Sequence, residues 1–122
     1  MVVLEYVEVD TVNSRICLIG GQSRNCTKVS IGCPATPTQK GEFKVSTIYT
    51  HPIPQHPITG KLFTASKLGG YVITLKDSTT ALHGWETQAE IGESCSLGCI
   101  RIPQEVLESL IFDSFFQTVI IK

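Results

Sequence analysis

The sequence predicts a mainly β single domain spanning residues 1–122, with one short helix late in the chain. Short runs rich in β-branched residues recur along it, each bounded by Gly, Asn, Asp, Ser or Pro. A single stretch, Pro103 to Ile111, has helical spacing instead. A chain of 122 residues fits one domain and can bury a core without staples.

The elements follow in order. Val3 to Val9 alternates, with Val3, Glu5, Val7 and Val9 on one side and Leu4, Tyr6 and Glu8 on the other. The turn-rich Asp10-Thr-Val-Asn-Ser joins it to a second strand, Arg15 to Ile19, as in a hairpin. Lys28 to Ile31 is expected as a third strand, stopped by Gly32. Phe43 to Tyr49, Tyr71 to Leu75, Thr80 to His83 and Gln117 to Ile121 complete the strand set. In the helix, Val106, Leu107, Leu110 and Ile111 share one face, with Glu105 and Glu108 opposite. Pro103 suits its first turn and Glu105 the positive end of its dipole. Thr50 to Gly70, with three prolines among its residues, fits neither period and is expected to be a loop lining or covering a cleft. Its His51 and His56 are expected to be exposed.

Composition narrows the function classes. Hydrophobic residues make up 42% and charged residues 17%, which excludes disorder. Ten basic residues stand against eleven acidic ones with no block of either sign, so nucleic acid and anionic membranes are poor partners. No apolar run approaches the roughly 18 residues of a membrane span, so no transmembrane segment is expected. Glu5 and Glu8 interrupt the first apolar run, and no basic start precedes it, so residues 1–10 do not read as a signal peptide.

Five cysteines, at 17, 26, 33, 95 and 99, are many for this length, and the number is odd. Cys17, within an apolar run, reads as a small buried filler; Cys26, Cys33 and Cys95 lie in turn-like contexts. Two disulfides and one free thiol are arithmetically possible, but spacing does not pair them.

The stretch with the most chemistry is Ala81-Leu-His-Gly-Trp, followed by Cys95-Ser-Leu-Gly-Cys-Ile-Arg-Ile-Pro. His83 ends a strand, and Cys99 lies sixteen positions further on, between Gly98 and Ile100. Gly92, Ser94, Ser96 and Gly98 are expected to let the chain fold back so that Cys99 faces His83. A thiol with an ordinary pKa near ~8.5 is only partly ionised at neutral pH. An adjacent imidazole can take its proton and generate the thiolate nucleophile. The other ring nitrogen then needs an acceptor, and with no Asp nearby in sequence the Gly84 carbonyl is a candidate. Backbone N–H groups around Gly98 and Cys99 can stabilise an oxyanion. Such chemistry calls for no metal and no cofactor. A zinc site on His83, Cys95 and Cys99 is the weaker alternative, because it supplies three ligands and no second paired motif.

His83-Gly84, the step of sixteen and Ser96-Leu-Gly-Cys-Ile-Arg101 together resemble the signature of the L,D-transpeptidase (YkuD-like) catalytic domain, a His-Gly followed after a spacer by Ser/Thr-His-Gly-Cys, an apolar residue and Arg or Asn. Upstream, Val29-Ser-Ile-Gly and Ala35-Thr-Pro-Thr-Gln-Lys-Gly-Glu-Phe-Lys-Val45 look like a second family segment. The resemblance runs from about Val3 to Lys122. It implies a mixed β-sandwich with one short helix after the cysteine. It also implies a cysteine acyltransferase acting on peptidoglycan stem tetrapeptides, cleaving before the terminal D-alanine through a thioester. In that scheme Cys99 is the nucleophile, His83 the base and Gly84 its orienting carbonyl. Ser96, Gly98 and Arg101 support the substrate or oxyanion. Acylation by β-lactams of the carbapenem type, a monomeric state and a location in the cell envelope or periplasm are expected on the same ground. Three features depart from the pattern: Leu97 stands where the family has His, Trp85 where a small residue is usual, and Gln39-Lys40 lengthen the upstream segment. Two alternatives stay open: an L,D-carboxypeptidase with water as acceptor, and a weakened domain that binds cell-wall peptide.

Overall fold

The structure is a computed structural model that describes residues 1–50, 68–93 and 95–122. Its strands in chain order are β1 (Val2–Val3), β2 (Tyr6–Asp10), β3 (Arg15–Gly20), β4 (Ser23–Lys28), β5 (Gly41–Thr50), β6 (Tyr71–Leu75), β7 (Ala81–His83), β8 (Ile100–Arg101), β9 (Ser114–Phe115) and β10 (Thr118–Ile121). Helix α1 (Gln104–Glu108) runs into a π-helical turn, Ser109–Asp113, and a 3₁₀ turn covers Gln88–Glu90. The mainly β class and the single late helix are as the sequence predicts.

Eight strands form one curled sheet in the order β4-β3-β2-β10-β5-β6-β7-β8, and β1 pairs separately with β9. β10, the last strand along the chain, lies in the middle, parallel to β2 and antiparallel to β5. β7 and β8 are also parallel, with Leu82 opposite Ile100 and His83 opposite Arg101. After β4 the chain crosses to the far edge. Ser30 bridges Arg101 and Gly32 bridges Ser96, so the two sheet edges meet along a seam.

Burial explains the layout. Val7, Val9, Ile16, Ile73, Leu82, Ile100, Leu107 and Val119 are fully buried in one core, each contributing about 2 kcal/mol from apolar surface removed from water. Glu8 is buried on β2, where two nitrogens of Arg24 at 3.0 and 3.2 Å and the Lys122 ammonium at 2.9 Å meet its carboxylate.

Several expectations need correction. The run from Val3 to Val9 is two elements, because the chain changes partner between them: the Leu4 amide donates to the Phe115 carbonyl and the Glu5 amide to Ile19. The third strand is Ser23–Lys28, not Lys28–Ile31. It folds back on β3 through a turn in which Gly21 takes φ +57°. Its polar residues are almost all exposed, so no period marks it. The helix is α-helical for only five residues, and Pro103 is its N-cap residue with ψ 140°, not part of its first turn. Cys17 is buried but bonded to Cys26, directly opposite it on the neighbouring strand, and Cys26 is in a strand and not a turn. The loop expected from Thr50 to Gly70 begins within β5 at Thr50, and most of it, with His51 and His56, lies outside the described residues.

Candidate active site

The paired strands β7 and β8 sort their side chains by face. Leu82 and Ile100, opposite each other, are fully buried in the core. Alternation sends their neighbours Ala81, His83, Cys99 and Arg101 to the other face. All four line a cleft of about 350 Å³ whose walls include Pro37, Leu68, Trp85, Ser96 and Leu97. The structure thus brings Cys99 and His83 to one cleft through strand pairing.

His83 is 7% exposed, and its Nδ1 lies 2.6 Å from the Gly84 carbonyl. A carbonyl can only accept, so Nδ1 carries the proton and donates it. Nε2 is left with a lone pair, as a base requires. Burial pushes the imidazole down to about 4; the Gly84 bond opposes this and the Arg101 charge adds to it. Gly84 itself is wedged, its amide donating to Leu68 O at 2.9 Å while the Ile102 amide donates to His83 O at 2.7 Å.

Cys99 is the cysteine outside any disulfide and is half-buried. Burial raises its thiol above the ordinary value, while a hydrogen bond with the Ala81 backbone and the Arg101 charge pull it down. Low imidazole and high thiol pKa values describe a resting pair in which both groups are neutral. An imidazole in this state can accept a proton from a thiol when an electrophile arrives.

Ser96 shapes the turn that delivers Cys99. It is 3% exposed, its hydroxyl donates to the Cys99 carbonyl, and that hydroxyl oxygen accepts the Gly98 amide at 3.2 Å. Gly98 takes φ 121°, a conformation other residues rarely adopt. Its carbonyl receives the Thr38 hydroxyl at 3.0 Å, and Thr38 in turn accepts the Gly32 amide at 2.8 Å. A Cβ on Gly32 would overlap the Thr36 carbonyl, so the upstream segment closes on the turn only with glycine there. Thr38 is a residue that sequence reading missed. Its signal was the second threonine of Thr36-Pro-Thr, quoted as a pattern without a role.

Arg101 stacks on Trp85, its guanidinium carbon 3.8 Å from the ring centroid, and reaches Cys95 O at 3.4 Å. The indole N–H donates to Glu90 at 2.8 Å, which fixes the ring. Leu97 is partly exposed at the cleft rim. Cys95 is bonded to Cys33, which removes it from any zinc site with His83 and Cys99.

The family model for the L,D-transpeptidase catalytic domain (YkuD) matches residues 4–111, and the chain belongs to that family. A crystal structure of a cysteine-to-serine variant of Enterococcus faecium L,D-transpeptidase is similar at TM-score 0.81 and 21% identity, covering 99% of this chain and 50% of that one. The NMR structure of the catalytic domain of the E. faecium enzyme aligns at TM-score 0.75 and 21% identity, over 97% and 96% of the two chains. L,D-transpeptidase 3 from Mycobacterium tuberculosis, in complex with a faropenem-derived adduct, gives TM-score 0.75 at 15% identity, over 96% and 59%. The chain therefore spans about half the length of the first of these relatives and nearly all of an isolated catalytic domain. A comparison with curated proteins gives no match.

Proposed function

We propose that the protein is a peptidoglycan L,D-transpeptidase in which Cys99 forms a thioester with a stem tetrapeptide. The observation that supports this best is the Cys99–His83 pair on one cleft face, with the His83 tautomer set by the Gly84 carbonyl. His83 Nε2 takes the thiol proton as sulfur attacks the carbonyl carbon between the third residue and the terminal D-alanine. The Cys99 amide stabilises the oxyanion, since Ser96 already receives the Gly98 amide. Collapse breaks the C–N bond, and the imidazolium returns its proton to the departing D-alanine amine. An acceptor amine then attacks the thioester, giving up its proton to His83, and Cys99 leaves as a thiol. Arg101, positioned by Trp85, holds a substrate carboxylate.

β-Lactams of the carbapenem class enter the same scheme as acylating agents; a structurally similar L,D-transpeptidase has been solved in complex with the carbapenem imipenem. Two disulfides suit an oxidising compartment, which fits a site of action in the cell envelope.

Intact-mass measurement after incubation with a tetrapeptide or a carbapenem tests the proposal. An adduct on Cys99, with D-alanine released from the peptide and no adduct on Cys99→Ala, is the expected result. Absence of an adduct from the parent would overturn it. Product analysis with and without an added amine separates transpeptidation from carboxypeptidase activity. Peptide retention without any adduct would mark a binding domain instead.

A further inference from the structure

The turn carrying Cys99 sits on the seam where the sheet's edges meet, and a covalent bond fastens that seam beside it. Cys95 is four residues before Cys99, and Cys33 directly follows Gly32, the bridge partner of Ser96. We propose that the Cys33–Cys95 disulfide is a positioning element for Cys99, so that the reactive form carries this bond oxidised and the Cys99 thiol reduced. The inference rests on the acyl-transfer reading of Cys99.

Several observations lead there. Strand β8 is two residues long, and residues 96–99 belong to no strand or helix. Their anchors come largely from residues 31–38. The Ser96 amide donates to Ile31 at 2.7 Å and the Cys33 amide to Ser96 at 3.0 Å. The Thr36 hydroxyl meets the Ser96 carbonyl at 3.1 Å, and Thr38 meets Gly98 at 3.0 Å. The disulfide ties this anchoring segment to the turn across 62 positions of sequence. Cys95 also offers its carbonyl to Arg101, so a shift of Cys95 moves the stacked cation together with the nucleophile. Cys17–Cys26 is different: it joins strands already paired over six residues, and neither cysteine lines the cleft. Cys33 is half-buried and Cys95 exposed, within reach of a reductant.

The chemistry balances with a dithiol as reductant. Its two thiols supply two electrons and two protons, the Cys33–Cys95 S–S bond breaks, both sulfurs become thiols, and the dithiol leaves as a cyclic disulfide. Cys99 is already a thiol and is unchanged. Reductant, which ordinarily protects a cysteine enzyme, thus slows this one.

The test uses two double variants, Cys17→Ala/Cys26→Ala and Cys33→Ala/Cys95→Ala, each before and after treatment with dithiothreitol and its removal without air. Acylation of Cys99 by imipenem is followed by intact mass. The pH profile of Cys99 alkylation by iodoacetamide supplies a readout that needs no substrate. Cys17→Ala/Cys26→Ala is expected to acylate at the parent's rate when oxidised, to slow about tenfold or more on reduction, and to recover on reoxidation. Cys33→Ala/Cys95→Ala is expected to be slow in both states, and the alkylation midpoint to move in step. Equal acylation rates and superimposable alkylation profiles in the two redox states would overturn the inference. So would global unfolding of the reduced protein by circular dichroism at 10 °C, which would make the bond purely structural. A parent that is not acylated, but whose alkylation midpoint still shifts with redox state, would sink the acyl-transfer reading and leave the positioning role standing.

Discussion

Burial of His83 has a consequence for acid stability that can be worked out in advance. Its imidazole falls from an ordinary value of 6.5 to about 4, chiefly through burial. Between those values the unfolded chain binds a proton that the folded chain refuses. Stability is therefore fully present above 6.5 and is lost as pH falls toward 4, at about 1.4 kcal/mol per pH unit. Between pH 7.5 and pH 4.5 the loss comes to about 2.5 kcal/mol. The perturbation is His83→Gln, which keeps a polar side chain of similar size but does not titrate. Urea unfolding of parent and variant at both pH values gives four free energies. The carboxylates common to both, Glu8 and Asp10 among them, cancel in the double difference. The parent should lose about 2.5 kcal/mol more than His83→Gln on acidification. Parallel losses, within about 0.5 kcal/mol, would show that the imidazole is solvated in the folded state and would undo both the buried-base geometry and the neutral resting pair.

Three further outcomes follow from the same contacts. Ser96→Ala leaves the Gly98 amide and Cys99 carbonyl without their shared partner; it should cost about 1–3 kcal/mol by thermal unfolding and slow Cys99 acylation about tenfold or more. Replacing both cysteines by alanine should destabilise the Cys33–Cys95 pair by about 4 kcal/mol and the Cys17–Cys26 pair by about 2.5 kcal/mol in denaturant titrations, since the closed loops span 62 and 9 positions. Trp85→Ala removes a cation–π contact of about 1 kcal/mol and frees Arg101, so the apparent affinity for an anionic acylating agent should fall about fivefold while the maximal acylation rate changes less.

Much of this was legible in the sequence, and what escaped did so for physical reasons. Strands with one buried face, such as Arg15 to Gly20 and Thr118 to Ile121, show their apolar residues and were readable. β4 buries almost nothing, so its residues carry no pattern, and a neighbouring β-branched run drew the assignment three to five residues too far. Cys99 and His83 share the cleft as their spacing and flanking glycines imply. Thr38 and the Cys33–Cys95 bond were not readable, because both depend on the chain crossing from one sheet edge to the other, which no local pattern encodes. The pairing of Cys17 with Cys26 follows from a hairpin register that was not visible without β4.

The position of β10 bears on how the chain reaches its native state. It is the last strand along the chain, yet it is the plank between β2 and β5, and the Lys122 amide and carbonyl complete bonds to Val9 and Thr11. Until it is made, strands β2–β4 and strands β5–β8 share no ladder. During synthesis they are two half-sheets with open inner edges. Contacts of such long sequence separation are slow to form. Closure at the middle and closure at the seam are then late events, and the cleft takes its full shape only after β10 has docked.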